Sequence, residues 1–213
     1  MEVEKTIKSV KTKIIITIVG KRFSGKTTLL NSLIFPQILD RDDYTMTFGY
    51  DIRFLPINDN ILIKFYDLGE IELQSNEKVI QSMSWQSNYV IYLIDAKIKE
   101  SMKYINIFED VFKDNKKIIV FNKIDQIQDI DIFSQNKNIQ DFISKYDIKN
   151  IFYINSKDSN SINNFKTSFF DLIQTDISNK VFNNINNQDI NNNLILYHRP
   201  EIDFSKKINL KNI

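Results

Sequence analysis

Residues 20–27 read Gly20-Lys21-Arg22-Phe23-Ser24-Gly25-Lys26-Thr27, which fits the pattern G-x-x-x-x-G-K-[ST]. The run before them, Ile14–Val19, is β-branched and largely apolar, which is typical of a strand buried in a parallel sheet. After the loop, apolar side chains recur at helical spacing, at Leu29, Leu30, Leu33 and Ile34. A strand, a glycine-bounded loop and a helix in this order predict a phosphate-binding loop and disfavour an ordinary turn before a helix.

Each part of this loop has a physical task. Gly20 and Gly25 allow backbone angles that are closed to other residues, so that consecutive N–H groups converge on phosphate oxygens. The N-terminus of the following helix adds partial positive charge. The Lys26 ammonium would neutralise the β- and γ-phosphates, and the Thr27 hydroxyl would coordinate Mg²⁺. We therefore expect a nucleoside triphosphate to bind here, with contacts from Gly20, Arg22, Phe23, Ser24, Gly25, Lys26, Thr27 and Thr28.

A second motif predicts which base the nucleotide carries. Asn122-Lys123-Ile124-Asp125 follows another apolar, strand-like run at residues 117–121. The Asp125 carboxylate can accept hydrogen bonds from both N1–H and the N2 amino group of guanine, whereas adenine offers no such pair of donors on that edge. The wrong base would leave a buried charge unpaired, so discrimination of this kind is large. The motif therefore favours GTP and GDP over ATP.

Three shorter pieces fall in a consistent order around these two motifs. A strand pattern at residues 61–66 ends in Asp67-Leu68-Gly69, which supplies an acidic residue for a Mg²⁺ site. The segment before that strand contains two threonines, Thr45 and Thr47, and we expect one of them to reach Mg²⁺ and the γ-phosphate. A last strand pattern at 151–154 precedes Asn155-Ser156-Lys157, whose backbone is expected to meet the guanine O6.

As an ordered set, the phosphate loop, Thr47–Gly49, Asp67, Asn122–Asp125 and Asn155–Lys157 resemble the Ras superfamily of small GTPases in its Rab- and Arf-like form. The resemblance extends over about residues 13–174. It implies a Mg²⁺-dependent GTP/GDP switch with an effector protein, an exchange protein and a GTPase-activating protein as partners. The nucleotide contacts that it adds to those of the loop are Thr47, Asp67, Gly69, Asn122, Lys123, Asp125, Asn155, Ser156 and Lys157. The metal residues that it implies are Thr27, Thr47 and Asp67.

The chain departs from the superfamily directly after its third strand. The family usually reads D-x-x-G-Q, whereas this sequence reads Asp67-Leu68-Gly69-Glu70-Ile71. Glu70 thus replaces the glycine that donates its N–H to the γ-phosphate, and Ile71 replaces the glutamine that orients the attacking water. Because GTP hydrolysis depends mostly on positioning and charge stabilisation, we expect a slow or partner-dependent GTPase.

A second departure lies within the phosphate loop. Arg22 stands where the family commonly has a small residue, and its bulk would crowd the transition state or an incoming arginine finger. Two alternatives stay open: Arg22 supplies charge in cis, or Glu70 or Glu72 holds the water. The catalytic candidates are Lys26, Thr47, Arg22 and Glu70.

Two classes of function remain. The first is a switch in which Mg-GTP orders the segments around Thr47 and Asp67, an effector reads that state, and hydrolysis releases it. The second is a pseudo-GTPase, a binding module that holds GTP or GDP permanently as a structural ligand in a larger assembly. Glu70 and Ile71 favour the second class, and the intact Lys26, Thr27 and Asp67 favour the first. Asn122–Asp125 disfavours an ATPase or nucleotide kinase.

Composition excludes several other classes. The chain has 213 residues and 42% hydrophobic content, which is enough for one domain with an adequate core. With 28 basic and 27 acidic residues, it offers no electrostatic case for binding nucleic acid or an anionic membrane. The absence of cysteine rules out disulfides, prenylation and palmitoylation, and Glu2 after Met1 rules out N-myristoylation. We therefore expect a cytoplasmic protein with no lipid anchor, transmembrane segment or signal peptide.

Hydrophobic periodicity predicts alternating strands and helices. Strands are expected near 13–19, 50–57, 61–67, 89–95, 117–122 and 150–155, and helices near 26–34, 72–84, 100–113, 138–146 and 161–174. The turn at residues 58–60 predicts a hairpin, while helical crossovers make the other strand pairs parallel. The predicted fold is therefore an α/β P-loop NTPase, with a doubly wound, mostly parallel six-stranded sheet, one antiparallel edge strand and about five helices.

The predicted organisation comprises an N-terminal extension at 1–12, a small GTPase domain at 13–174 and an asparagine-rich tail at 175–213. Within the tail, the apolar segment Leu194–Tyr197 is interpreted as packing back on the domain, with docking to a partner as the alternative. His198, the only histidine, is assigned a structural role. Trp85 follows the predicted helix 72–84 and is expected to pack in the core; the alternative, an exposed tryptophan, would mark an effector surface.

Overall fold

The computed structural model describes residues 12–36, 47, 49–69 and 73–179, apart from the side chains of 73–76 and of Lys99. The chain divides into two compact units, Met1–Thr175 and Asp176–Ile213. The first unit contains the whole sheet described below. Of the second unit the structure describes residues 176–179, of which 176–178 are helical. No helix in the described ranges is long and apolar enough to cross a membrane.

The six predicted strands are confirmed. They are β1 Thr12–Val19, β2 Tyr50–Asn58, β3 Ile61–Leu68, β4 Tyr89–Asp95, β5 Lys116–Asn122 and β6 Asn150–Ile154. Their order in the sheet is β2-β3-β1-β4-β5-β6, with β2 antiparallel to β3 and every other pair parallel. The β2–β3 hairpin turns where predicted, because the Asn58 side chain accepts hydrogen bonds from the N–H groups of Asn60 and Ile61.

The helices of the described residues are α1 Lys26–Ile34, α2 Leu73–Gln86, α3 Lys99–Glu109, α4 Ile130–Ser134, α5 Lys137–Lys145 and α6 Ser159–Ser178. Five of them were predicted, and α4 was not. This helix is a single turn, too short for a periodic pattern. Asp129 caps its N-terminus, since the Asp129 side chain accepts from the Ile132 N–H over 3.0 Å. A 3₁₀ turn, Ile124–Gln126, follows β5.

The central strands are buried on both sides, as their continuous apolar runs predict. Every residue of β4 is buried, and so are Ile118–Asn122 of β5. The helices cover the sheet with apolar side chains such as Ile80, Ile105 and Phe108. Because β1, β3, β4, β5 and β6 run parallel, their carboxyl ends meet at one edge of the sheet. The polar motifs of the sequence follow these carboxyl ends.

The expectation that Trp85 packs in the core is wrong, since 72% of this residue is exposed. The cause is the rotation of α2 about its axis, which decides which of its residues face the core. Ile80, Met83, Ser84 and Ser87 are buried, and their spacing of three, four and seven residues defines the inward side of the helix and of the residue that follows it. Trp85 lies outside that stripe.

Candidate nucleotide-binding site

The loop between β1 and α1 has the backbone geometry of an anion cradle. Phe23 and Gly25 both adopt left-handed angles, with φ of 64° and 96°. A side chain at Gly25 would collide with the Asn122 side-chain amide, and one at Gly20 would collide with the carbonyl of Leu93. These glycines therefore allow the loop to lie directly against the ends of β4 and β5.

Lys26 extends across this loop instead of into solvent. Its residue is only 7% exposed, and its ammonium donates to the carbonyls of Gly20 over 2.8 Å and Lys21 over 3.3 Å. Ser24 is buried beside it, and the Ser24 hydroxyl has no hydrogen-bond partner. Thr28 lies half-buried in the first turn of α1. The loop thus encloses a cation and an unpaired hydroxyl, which is suited to an anionic ligand.

Three residues predicted to hold a metal come together at the start of α1. The Thr27 hydroxyl lies 2.7 Å from the Asp67 Oδ2 and 3.0 Å from the Thr47 hydroxyl. Because a hydroxyl carries a single proton, Thr27 donates to Asp67 and accepts from Thr47. Gly69 supports this arrangement: its N–H donates to the Gly49 carbonyl over 2.9 Å, and any side chain there would collide with the Thr47 carbonyl.

The Asp67 carboxylate is completely buried, and its Oδ1 has no hydrogen-bond partner. Burial raises the pKa of this carboxyl, and the Thr27 hydrogen bond with the positive charges of Lys26 and Arg53 offsets that rise only in part. An unpaired anionic oxygen beside two hydroxyl oxygens is a hard donor set, which fits Mg²⁺. The residues present therefore suit the predicted metal.

Asn122 joins the phosphate loop to the segment Asn155–Lys157. This fully buried side chain donates to the Ser24 carbonyl over 2.8 Å and to the Ser156 hydroxyl over 3.1 Å. Its Oδ1 accepts from the Ser156 N–H over 3.0 Å. The Ser156 carbonyl in turn accepts from the Ser32 hydroxyl on α1 over 2.7 Å. Asn122 thus acts inside the protein, as a brace between loops.

Lys123 continues this bracing on the exposed side. Its backbone is left-handed, with φ of 64°, and its ammonium donates to the Phe23 carbonyl over 2.6 Å. The same ammonium contacts the Asp95 carboxylate over 2.7 Å. Asp125 lies two residues further on, in the 3₁₀ turn, and is exposed. Asp95 was not identified from the sequence. Its position at the end of a strand-like run could have placed it at the same end of the sheet as the other motifs.

The backbone N–H groups expected to read the guanine O6 already have partners. The Asn155 N–H donates to the Ser161 hydroxyl over 2.9 Å, and the Lys157 N–H donates to the Asn155 side chain over 2.9 Å. The Ser156 N–H donates to Asn122, as described above. Recognition of O6 by this segment would therefore require one N–H to share or exchange its partner.

Arg22 stacks on its neighbour in the loop. The centre of its guanidinium lies 4.7 Å from the centroid of the Phe23 ring, and 54% of Phe23 is exposed. Glu70, Ile71, Glu72 and Thr45 lie outside the described residues, as do the extension 1–11, Leu194–Tyr197 and His198.

A comparison with protein families adds an independent finding. The model of the ADP-ribosylation factor family matches residues 1–150. The match includes the phosphate loop, the Thr27–Thr47–Asp67 cluster and the Asn122–Asp125 motif, and it ends before Asn155. No individual curated protein matches the chain.

Proposed function

The chain belongs to the ADP-ribosylation factor family of GTP-binding proteins, and from this premise we propose that it is a Mg-GTP/GDP switch that hydrolyses GTP slowly or only with a partner. The observation that carries the proposal is the hydrogen-bonded cluster of Thr27, Thr47 and Asp67. It joins the phosphate loop, the segment before β2 and the end of β3, which are the parts that a bound γ-phosphate would order.

In this proposal each side chain has one task. Lys26 holds the phosphates, since its ammonium is already fixed inside the loop. Thr27, Thr47 and Asp67 hold Mg²⁺, which when bound neutralises phosphate charge. Asp125 accepts the guanine donors, and Lys123 keeps the phosphate loop beside the 3₁₀ turn that bears Asp125.

Slow hydrolysis is supported by the two residues at the positions where the family has its conserved glycine and its water-orienting glutamine. Ile71 has no polar group to orient water, and Glu70 carries a side chain where the family has none. Arg22, the residue that would supply charge in cis, has its guanidinium against the Phe23 ring. Partner proteins would then control the lifetime of the GTP state. The exposed Trp85 on α2 is our candidate for an effector contact, and we propose a cytoplasmic location.

Two measurements on the purified full chain test this proposal. Competition between GTP and ATP for a fluorescent GDP analogue should favour GTP by at least about a hundredfold, as expected when a carboxylate accepts two donors that adenine lacks. Single-turnover hydrolysis should be slow yet measurable, and the Lys26→Ala variant is the matched control for nucleotide-dependent signal. Equal binding of ATP and GTP would overturn the guanine assignment.

The second candidate, a pseudo-GTPase, is favoured by Ile71 and Glu70. It predicts that GTP remains intact over days on the wild-type protein, and that adding an arginine-donating partner changes nothing. A measurable single-turnover rate that is lost in Lys26→Ala would exclude it.

A further inference from the structure

The register of the central strands brings an additional acidic residue to the candidate site. β4 and β5 pair in parallel, and Asp95, the last residue of β4, lies level with Asn122, the last residue of β5. The next residue, Lys123, turns in the left-handed region. Its side chain therefore returns across the end of the sheet towards β4 and reaches Asp95.

Asp95 is bound on several sides. Its residue is 4% exposed, its Oδ2 lies 2.7 Å from the Lys123 ammonium, and its Oδ1 accepts from the Lys97 N–H over 3.1 Å. Its own N–H donates to the Ser101 hydroxyl over 3.0 Å. The Lys97 N–H orients the carboxylate, which in turn fixes the ammonium that it binds, whereas the Ser101 bond holds only the main chain of Asp95.

The energetic argument points to a role in the site. A buried carboxylate costs free energy unless it is paired, and an apolar residue would end β4 at lower cost. The pairing cation here is the lysine that also holds the Phe23 carbonyl of the phosphate loop over 2.6 Å. The Lys123 side chain is 29% exposed, so without Asp95 it would gain hydration by turning away from the loop.

We propose that Asp95 is a positioning residue for nucleotide binding: it fixes Lys123 against the phosphate loop and thereby orders the turn that presents Asp125 to the base. This inference rests on the proposed function. Because Asp95 acts at the base side of the site, its loss weakens GTP and GDP by the same factor, unlike the loss of a group near the γ-phosphate.

A double-mutant cycle in nucleotide affinity tests this role. Asp95→Asn, Lys123→Met and the double variant are titrated with fluorescent GDP and GTP analogues. We expect Asp95→Asn alone to weaken both nucleotides about tenfold, the scale of one charge-assisted hydrogen bond. In the Lys123→Met background the same change should cost less than about twofold, because Asp95 then has no lysine to position. A purely structural role would give the same cost in both backgrounds and would overturn the proposal.

Two control variants separate positioning from general stability. Glu109→Gln removes another carboxylate paired with a lysine, Lys117, at 3.1 Å and outside the candidate site. Ser101→Ala removes the hydroxyl that binds the Asp95 N–H and leaves the carboxylate in place. Both should lower the Tm and change GDP affinity by less than about twofold. If Glu109→Gln weakens GDP as much as Asp95→Asn does, the proposal fails.

Lys123→Met leaves the buried Asp95 carboxylate without its lysine, which destabilises the fold, so a second measurement is provided for the case in which this variant does not fold. If Lys123→Met does not fold, the affinities of Asp95→Asn for GDP and GTP test the proposal instead. Weakening of both by the same factor supports it. Affinities equal to those of wild type, or a loss confined to GTP, overturn it. Wild-type protein in the same titration reports on the proposed function separately. Tight guanine nucleotide binding by wild type combined with an unaffected Asp95→Asn would refute only the role of Asp95.

Discussion

The Thr27 hydroxyl donates a 2.7 Å hydrogen bond to the Asp67 carboxylate, and this bond joins the first turn of α1 to the end of β3. Thr47 completes the cluster by donating to Thr27 over 3.0 Å. The side chains assigned to Mg²⁺ therefore bond to one another before any ligand is considered. In the proposed switch, Mg-GTP would hold the three segments that bear these side chains in this arrangement.

The first prediction concerns the metal and the phosphates. Thr27→Asn should weaken Mg-GTP at least about tenfold more than GDP, because the amide replaces a hydroxyl that contacts both Asp67 and Thr47. Lys26→Ala should abolish tight binding of either nucleotide. Titration with fluorescent analogues at fixed free Mg²⁺ measures both. Thr167→Asn, on the exposed side of α6, is the control and should behave as wild type. Equal losses of GTP and GDP in Thr27→Asn would contradict the assignment.

The second prediction uses the raised pKa of Asp67. Its folded-state pKa lies above the unfolded value, so the ionised carboxylate destabilises the nucleotide-free protein above that pKa. This cost shrinks as the pH falls below the raised pKa and is gone once the pH is below the unfolded pKa. Asp67→Asn removes the ionisation, so its Tm relative to wild type should be higher near pH 8 than near pH 4, about the pKa of an unfolded aspartate. For a chain of this size, about 1 kcal/mol corresponds to a Tm shift of about 2–4 °C.

Thermal unfolding in the presence of a chelator measures this difference, and the same variant should bind Mg-GTP more weakly than wild type. A Tm difference between Asp67→Asn and wild type that is independent of pH would show that the Asp67 carboxyl has an ordinary pKa.

The third prediction concerns the base. Asp125→Asn should exchange guanine preference for xanthine preference, because the amide donates where the carboxylate accepted. Competition between GDP and xanthosine diphosphate reads this out. Asp129→Asn is a matched control, since asparagine caps a helix about as well as aspartate and α4 should remain intact. Loss of all nucleotide binding in Asp125→Asn, with no gain for xanthine, would show that Asp125 has a structural task instead.

The fourth prediction concerns the rate of hydrolysis. Intrinsic turnover should lie at or below the scale of about 10⁻⁴ s⁻¹ of an unassisted small GTPase. Ile71→Gln alone should help little if Glu70 keeps the γ-phosphate amide out of position. Glu70→Gly with Ile71→Gln should restore more activity than the two single changes together, because these positions act as one unit. Single-turnover assays compare the four proteins. Rapid turnover by wild type would instead assign catalysis to Arg22, Glu70 or Glu72.

The fifth prediction concerns the contact between Arg22 and Phe23. An exposed cation–π contact is worth about 0.5–1 kcal/mol, so its loss frees the arginine by about two- to fivefold. If Arg22 supplies charge in cis, Phe23→Ala should raise the single-turnover rate by at most about fivefold, and the increase should vanish when Arg22→Ala is added. An increase of the same size in the double variant would mean that Phe23 merely obstructs the site.

The fold was predictable from the sequence because its signals are local. Runs such as Ile14–Val19 identify buried strands, and helical spacing identifies most helices without any knowledge of their neighbours. The features that were missed depend on contacts between distant residues or on which side of a helix faces the core. The exposure of Trp85 follows from which side of α2 faces inward, and the role of Asp95 follows from a lysine 28 positions away that only the strand register brings near. The hydrogen bonds of Asn155–Lys157 were hidden for the same reason.

The bond between Ser32 and the Ser156 carbonyl spans 124 positions of the chain. During synthesis, the phosphate loop emerges long before Asn122, and Asn122 long before Ser156. The brace that connects them can close only after β6 has joined the sheet, so a growing chain has no complete nucleotide site until that last strand is in place. Guanine nucleotide would then bind the finished fold and not its precursors, and would stabilise completed molecules by mass action. If the proposed function holds, the supply of guanine nucleotide would therefore raise the amount of completed protein that accumulates.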